Sequence, residues 1–124
     1  MANPNIVNVS AIYGTTTYVA LSTTSATTLL SNAASSGKVF KVDDIVVSNV
    51  NGSTAANVTV SVNSAASGGG TAYRLAYQIS VPTGASLIVT DKSTAFYLME
   101  NQSVVITAGT ANYLEAVLSY EDIS

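Results

Sequence analysis

A chain of 124 residues with 48% hydrophobic side chains is long enough for one domain with a continuous core. Only 9% of its residues are charged, against roughly 25% in ordinary soluble domains. The net charge is −3, and the four basic residues (Lys38, Lys41, Arg74 and Lys92) are scattered, which excludes a phosphate-binding surface and with it nucleic acid as a partner.

Histidine and cysteine are both missing. Their absence excludes a disulfide framework, a thiolate metal site, a thiol nucleophile and a serine triad of the usual kind. Most of the polarity comes from Ser, Thr and Asn. A surface of that kind costs little to desolvate against a neighbour, so the composition leans toward assembly. Met1-Ala2-Asn3-Pro4-Asn5 has no basic segment followed by a long apolar one, so the expectation is synthesis in a cytoplasm without a secretory signal. No apolar run approaches the roughly 18 residues of a membrane helix, so no membrane partner is expected.

Taken in chain order, Met1–Asn8 reads as an extended N-terminal arm, because Pro4 and the flanking asparagines discourage regular structure. Residues 9–124 read as one domain. Strand signals, β-branched and aromatic residues in short runs, fall at Ile6–Tyr13, Thr16–Leu21 and Thr27–Ser31. Ser31–Ser36 supports no more than a turn. In Val39–Val50 the parity of Phe40 and Val42 differs from that of Ile45 and Val47, and a bulge at Asp43-Asp44 would turn both sets to the core. Val58-Thr59-Val60-Ser61-Val62 alternates strictly, as a strand buried on one side does. Tyr73–Val81, Ser86–Thr90, Phe96–Met99 and Ser103–Thr107 follow. In the last run, Leu114, Ala116, Leu118 and Tyr120 alternate with Tyr113, Glu115, Val117 and Ser119. Both sets hold apolar residues, so this strand lies either centrally or against a partner chain. Asn51-Gly52-Ser53, Ser67-Gly68-Gly69-Gly70 and Pro82-Thr83-Gly84 mark turns. Eight to ten short strands at this spacing predict an all-β, single-domain antiparallel β-sandwich, jelly-roll or immunoglobulin-like.

Catalytic candidates reduce to seven carboxylates. Asp43 and Asp44 are adjacent on a strand, so they point to opposite faces and do not converge on one substrate. Asp91-Lys92 reads as a solvated turn, and Glu121-Asp122 as a soluble tail end. A calcium loop from Asp91 and Gly68–Gly70 lacks the dense aspartate spacing such sites use. The glycine run also lacks the lysine and helix of a phosphate cradle, and reads as a mobile hairpin tip. Sequons at Asn8, Asn51, Asn57 and Asn101 are what a Ser/Thr/Asn-rich chain produces by chance. Tyr13, Tyr18, Tyr73, Tyr77, Tyr97, Tyr113 and Tyr120 offer a carbohydrate-stacking platform or an interface patch. The plainer reading is strand residues with a buried ring and a wet hydroxyl. No catalytic, cofactor-binding or metal residue is assigned, and the chain is expected not to be an enzyme.

Several segments together carry a likeness. They are Ala2-Asn3-Pro4-Asn5-Ile6-Val7-Asn8-Val9, Ile12-Tyr13-Gly14, Ser35-Ser36-Gly37-Lys38-Val39-Phe40-Lys41-Val42, Val47-Ser48-Asn49-Val50, Ser80-Val81-Pro82, Asp91-Lys92 and Ser119-Tyr120-Glu121. With these the chain resembles small virion structural proteins of tailed phages of marine bacteria, cyanophages in particular. The resemblance implies a multi-copy component of the particle, specifically a capsid decoration (cement) protein on the capsid surface. It implies the major capsid protein and sister copies as partners, the latter as a homotrimer on local threefold axes. It transfers no catalytic residue. The competing expectations are a tail, neck or fibre component and a carbohydrate-binding module.

Overall fold

The computed structural model describes residues 4–124, which form nine strands. β1 is Ile12–Ala20, β2 Thr27–Asn32, β3 Val39–Asn49, β4 Ala56–Asn63 and β5 Ala72–Val81. β6 is Ser86–Thr90, β7 Phe96–Leu98, β8 Gln102–Ala108 and β9 Leu114–Ile123. The first sheet runs β1-β9-β3-β6, with β7 also paired to β3, and the second runs β2-β8-β4-β5; all pairings are antiparallel. β1 and β2 therefore run against β9 and β8, and β3 and β4 against β6 and β5. A long ribbon of strand pairs folded over on itself in this way is a jelly roll. An immunoglobulin-like order would pair the first strand with the second, which here lie in different sheets.

Alternation decides which residues fill the space between the sheets. Val42, Ile45 and Val47 of β3, Leu114, Ala116 and Leu118 of β9, and Leu98 of β7 meet Val58 and Val60 of β4 and Val104 and Ile106 of β8 there, all fully buried. The bulge expected at the two aspartates is present. Val42 pairs with Tyr120 and Asp44 with the next residue, Ser119, leaving Asp43 as the extra residue. That one insertion lets Phe40 and Val42 before it and Ile45 and Val47 after it all reach the core. β9 is central, between β1 and β3.

Two asparagines fasten the sheets to each other at opposite ends of β3. Buried Asn32, ending β2, donates its side-chain amide to the carbonyls of Lys38 (3.0 Å) and of Leu98 (3.1 Å) in the other sheet. Its oxygen accepts from the Ser36 hydroxyl at 2.6 Å. Buried Asn49, ending β3, donates to the carbonyls of Thr54 (3.0 Å) and of Val81 in the other sheet (2.9 Å), and accepts from the Asn51 N–H at 2.8 Å.

Three expectations are corrected. Ile6–Tyr13 is not one strand: residues 6–8 form a turn, because the Asn5 side chain accepts the Val7 N–H at 3.0 Å and its carbonyl accepts the Asn8 N–H at 3.0 Å. β1 starts at Ile12 and runs through Gly14 without a break. β4 is not buried on one side only, since Ser61 and Asn63 on its second face are buried too. The cover there is the glycine run, which is no free hairpin tip. Gly68 N–H donates to Ser103 Oγ (2.9 Å), Ser103 Oγ donates to the Ala65 carbonyl (2.8 Å), and Ser67 N–H donates to Ser31 Oγ (2.9 Å). Asn63 donates to the Gly68 carbonyl at 3.0 Å. Gly68 has φ +77, and a Cβ there would stand 3.0 Å from Thr28 Oγ1, so a larger residue is strained at this position. Of the expected arm, residues 1–3 lie outside the described residues. Pro4 and Ile6 border a hollow of about 280 Å³ with Val39, Tyr97 and Met99.

Candidate functional site

The carboxylates do not converge. Among the described residues no three of His, Cys, Asp and Glu are grouped as a metal site would require. Asp122 pairs with Lys38 at 3.2 Å, and Glu121 lies 3.9 Å from Lys41; both pairs are partly solvated and contribute little. Glu100 accepts the Gly37 N–H at 3.2 Å. Asp91 caps the short turn at Lys92–Thr94, accepting from the Ser93 N–H (2.9 Å) and hydroxyl (2.6 Å). The Ser93 hydroxyl and N–H hold its carboxyl below the ordinary value of 3.8. Asp91 follows β6 of the first sheet, whereas Gly68–Gly70 covers the second, so the structure does not unite them.

The tyrosines are not brought together either. Tyr13 and Tyr18 lie on β1 at one margin of the first sheet, and Tyr73 and Tyr77 on β5 at a margin of the second. Those four and Tyr97 are exposed, which corrects the reading of buried rings with wet hydroxyls. That reading fits Tyr113 and Tyr120, which pack against the core, Tyr120 with its ring 5.0 Å from Phe40. Arg74 stands over the Tyr77 ring at 5.5 Å. A separate hollow of about 190 Å³ is lined by Asn57, Thr59, Gln78, Thr107, Ala108 and Gly109. The Thr59 hydroxyl in it already accepts the Gln78 N–H at 3.0 Å.

What the fold does assemble is a surface. On the outer face of the first sheet, register aligns Tyr18 of β1 with Val117 of β9, Val117 with Val46 of β3, and Val46 with Ile88 of β6. The result is one apolar row crossing four strands, with Tyr18 77%, Val117 42% and Ile88 62% exposed. Hydroxyl rows flank it. Thr16 and Ser119 stand 3.2 Å apart on one side, and Ser48 and Ser86 2.9 Å apart on the other. Beside the row, Tyr18, Ala20, Glu115 and Val117 border a hollow of about 260 Å³. Each flanking row also holds one carboxylate, Asp44 beside Ser119 and Glu115 beside Ser48; an apolar row with such a polar rim is the anatomy of a contact surface. The two-sided apolar pattern of the last strand was its trace in the sequence. Alignment of Val46 and Ile88 with Val117 depends on register, which no local pattern reveals.

No protein-family model matches the chain, and no curated protein matches it in sequence. Among solved structures the fold is similar to a chain of the Bacillus endospore appendages, described as a novel family of disulfide-linked pili. The TM-score is 0.53 at 16% identity, covering 91% of this chain and 88% of that one. It is similar also to a chain of the acid-stable capsid of Helicobacter pylori bacteriophage KHP30, with TM-score 0.53 at 13% identity, covering 94% and 90%. At these identities the likeness establishes the fold.

Proposed function

We propose that the chain is a non-enzymatic structural subunit of a virus particle, working through packing and backbone pairing. The observation that carries this is the outer face of the first sheet, where an apolar row crosses four strands between hydroxyl-rich polar rows. The fold likeness to a phage capsid chain over nearly the full length supports the reading. The pilus chain supports assembly as the common theme, but disulfide linkage cannot operate in a chain without cysteine.

The more specific reading is a decoration (cement) protein on the head of a tailed phage of marine bacteria, made in the host cytoplasm. It docks on the major capsid protein and on sister copies. A homotrimer is the form that the resemblance implies, whereas the β1 edge favours a twofold contact between copies. A tail, neck or fibre part shares the fold and the low charge, and location separates the two. Quantitative mass spectrometry of virions with heads and tails separated tests this: a decoration protein is a high-copy component of the head fraction. Recovery with tails alone moves the role to the tail, and absence from purified particles overturns it.

A further inference from the structure

Sheet margins are where a β-sandwich meets other chains, and natural proteins blunt them with bulges, charges, proline or cover. Three of the four margins here are blunted. β2 has a register shift between Thr28 and Leu30, and the turn at Ala66–Gly68 bonds to its Ser31. β5 shifts register twice and holds Gln78 at φ +49. The margin beyond β3 is split between β6, itself shifted, and three-residue β7. Among the described residues β1 has none of these devices. Its nine residues, Ile-Tyr-Gly-Thr-Thr-Thr-Tyr-Val-Ala, include no proline and no charge, and its register with β9 is unbroken from Ile12 to Ala20.

The hydrogen bonds show which backbone groups that margin offers. Ala11 and Ser124 exchange both bonds, at 3.2 and 2.9 Å, and Leu21 N–H donates to the Leu114 carbonyl at 2.9 Å. Bonded pairs alternate along an antiparallel ladder. Tyr13, Thr15, Thr17 and Val19 therefore turn their N–H and C=O groups toward β9. Ile12, Gly14, Thr16, Tyr18 and Ala20 turn theirs off the edge of the sheet.

We propose that this margin pairs with β1 of a second copy of the chain, antiparallel, about a twofold axis at Thr16. The strand is self-complementary in that register, which alone uses all nine residues. The outward-turned residues meet one another: Thr16 opposite Thr16, Gly14 opposite Tyr18, and Ile12 opposite Ala20, with two backbone bonds at each of the five pairs. On the outer face large side chains meet small ones, Tyr18 with Gly14 and Ile12 with Ala20. Gly14 has open space above it, a Cβ there meeting nothing within 4 Å, and the Tyr18 ring of the other copy lies across it, as aromatic rings cover glycines at sheet edges. On the inner face Tyr13 meets Val19 and Thr15 meets Thr17. No like charges face each other. The contact joins two four-strand orders into one continuous sheet, and because it occupies both β1 margins, association closes at the dimer.

This inference names the partner for the assembly role proposed above, and its geometry can be tested without particles. Thr16→Cys gives the full chain its single cysteine at the twofold, where Cα atoms about 5.5 Å apart fall within disulfide reach. Mild oxidation is expected to convert it to a covalent dimer, while Thr83→Cys, in an exposed loop, stays monomeric on a non-reducing gel. In sedimentation equilibrium the wild-type chain is expected to dimerise. Thr16→Lys, which sets two ammonium groups opposite each other, is expected to weaken the dimer on the order of tenfold or more with an unchanged circular dichroism spectrum. A wild-type chain that stays monomeric, a Thr16→Lys chain that dimerises undiminished, or equal cross-linking at 16 and 83 overturns the proposal. Absence from virions with Thr16→Cys dimers still forming removes the virion role and leaves the edge contact standing.

Discussion

Replacing Asn49 by alanine removes three hydrogen bonds at once, to the carbonyls of Thr54 and Val81 and from the Asn51 N–H. Each net bond contributes about 1 kcal/mol, and a buried carbonyl left without a donor costs more than a bond simply deleted with both its partners. The sum is about 3 kcal/mol, with a further increment if water does not reach the Val81 carbonyl. Against a total stability of roughly 5–15 kcal/mol for a domain, that is a large fraction. Urea unfolding followed by circular dichroism reads it directly. With a slope of about 1.5 kcal/mol per molar, the midpoint falls by about 2 M and the slope is unchanged. Asn49→Asp sharpens the test. Its carboxylate would face two carbonyl oxygens, so its folded-state pKa rises above the unfolded value of about 3.9. Its stability relative to wild type is then best below that value and is lost as pH rises through the folded pKa. Asn32→Ala stands at the other end of β3, about 35 Å away along an eleven-residue strand, so the double variant is additive. An Asn49→Ala loss below about 1 kcal/mol, or an Asn49→Asp deficit that does not change with pH, would refute the view that this amide joins the sheets.

Leu98 sits on a strand of only three residues yet is fully buried, so Leu98→Ala is expected to cost about 2–5 kcal/mol in the same unfolding assay. Deleting Asp43 removes the extra residue and leaves Val42, Asp44 and Ile45 in plain alternation opposite Tyr120, Ser119 and Leu118, so the deletion variant is expected to fold with Val42 and Ile45 both still in the core, and Asp43→Asn to stay within about 0.5 kcal/mol of wild type in the same unfolding assay. Asp91 has its carboxyl held low by Ser93, so its contribution is present above the ordinary carboxylate value of 3.8 and fades as pH falls through the lowered one. Asp91→Ala should therefore lower the melting temperature slightly at neutral pH and leave it unchanged in strong acid. Val117→Glu places a charge in the middle of the exposed apolar row, and is expected to abolish recovery with particles in a co-sedimentation assay without altering the melting temperature by more than about 2 °C.

Much of this molecule is written locally. Period-two alternation located nearly every strand, and the parity switch across Val39–Val50 was enough to place the bulge at the aspartates, because a strand has only two faces and one of them must be apolar. The failure at Ile6–Tyr13 has a local cause as well: the Asn5 side chain competes for the backbone N–H groups that a strand would use. The loose glycine tip was misread for a different reason, since the hydroxyls of Ser31 and Ser103 that hold it come from β2 and β8. Composition alone removed histidine and cysteine chemistry. It could not show that the tyrosines part to opposite margins, or that Tyr18, Val117, Val46 and Ile88 fall into one row. Those facts depend on strand order and register. Order and register are set by how two twisted sheets close over a shared core, through contacts between residues as much as a hundred positions apart in the chain. The sequence by itself determined most of the strands and the apolar residues of β3, β4 and β9 that face inward; only the tertiary structure decided what covers their second faces and which outward-facing residues are neighbours.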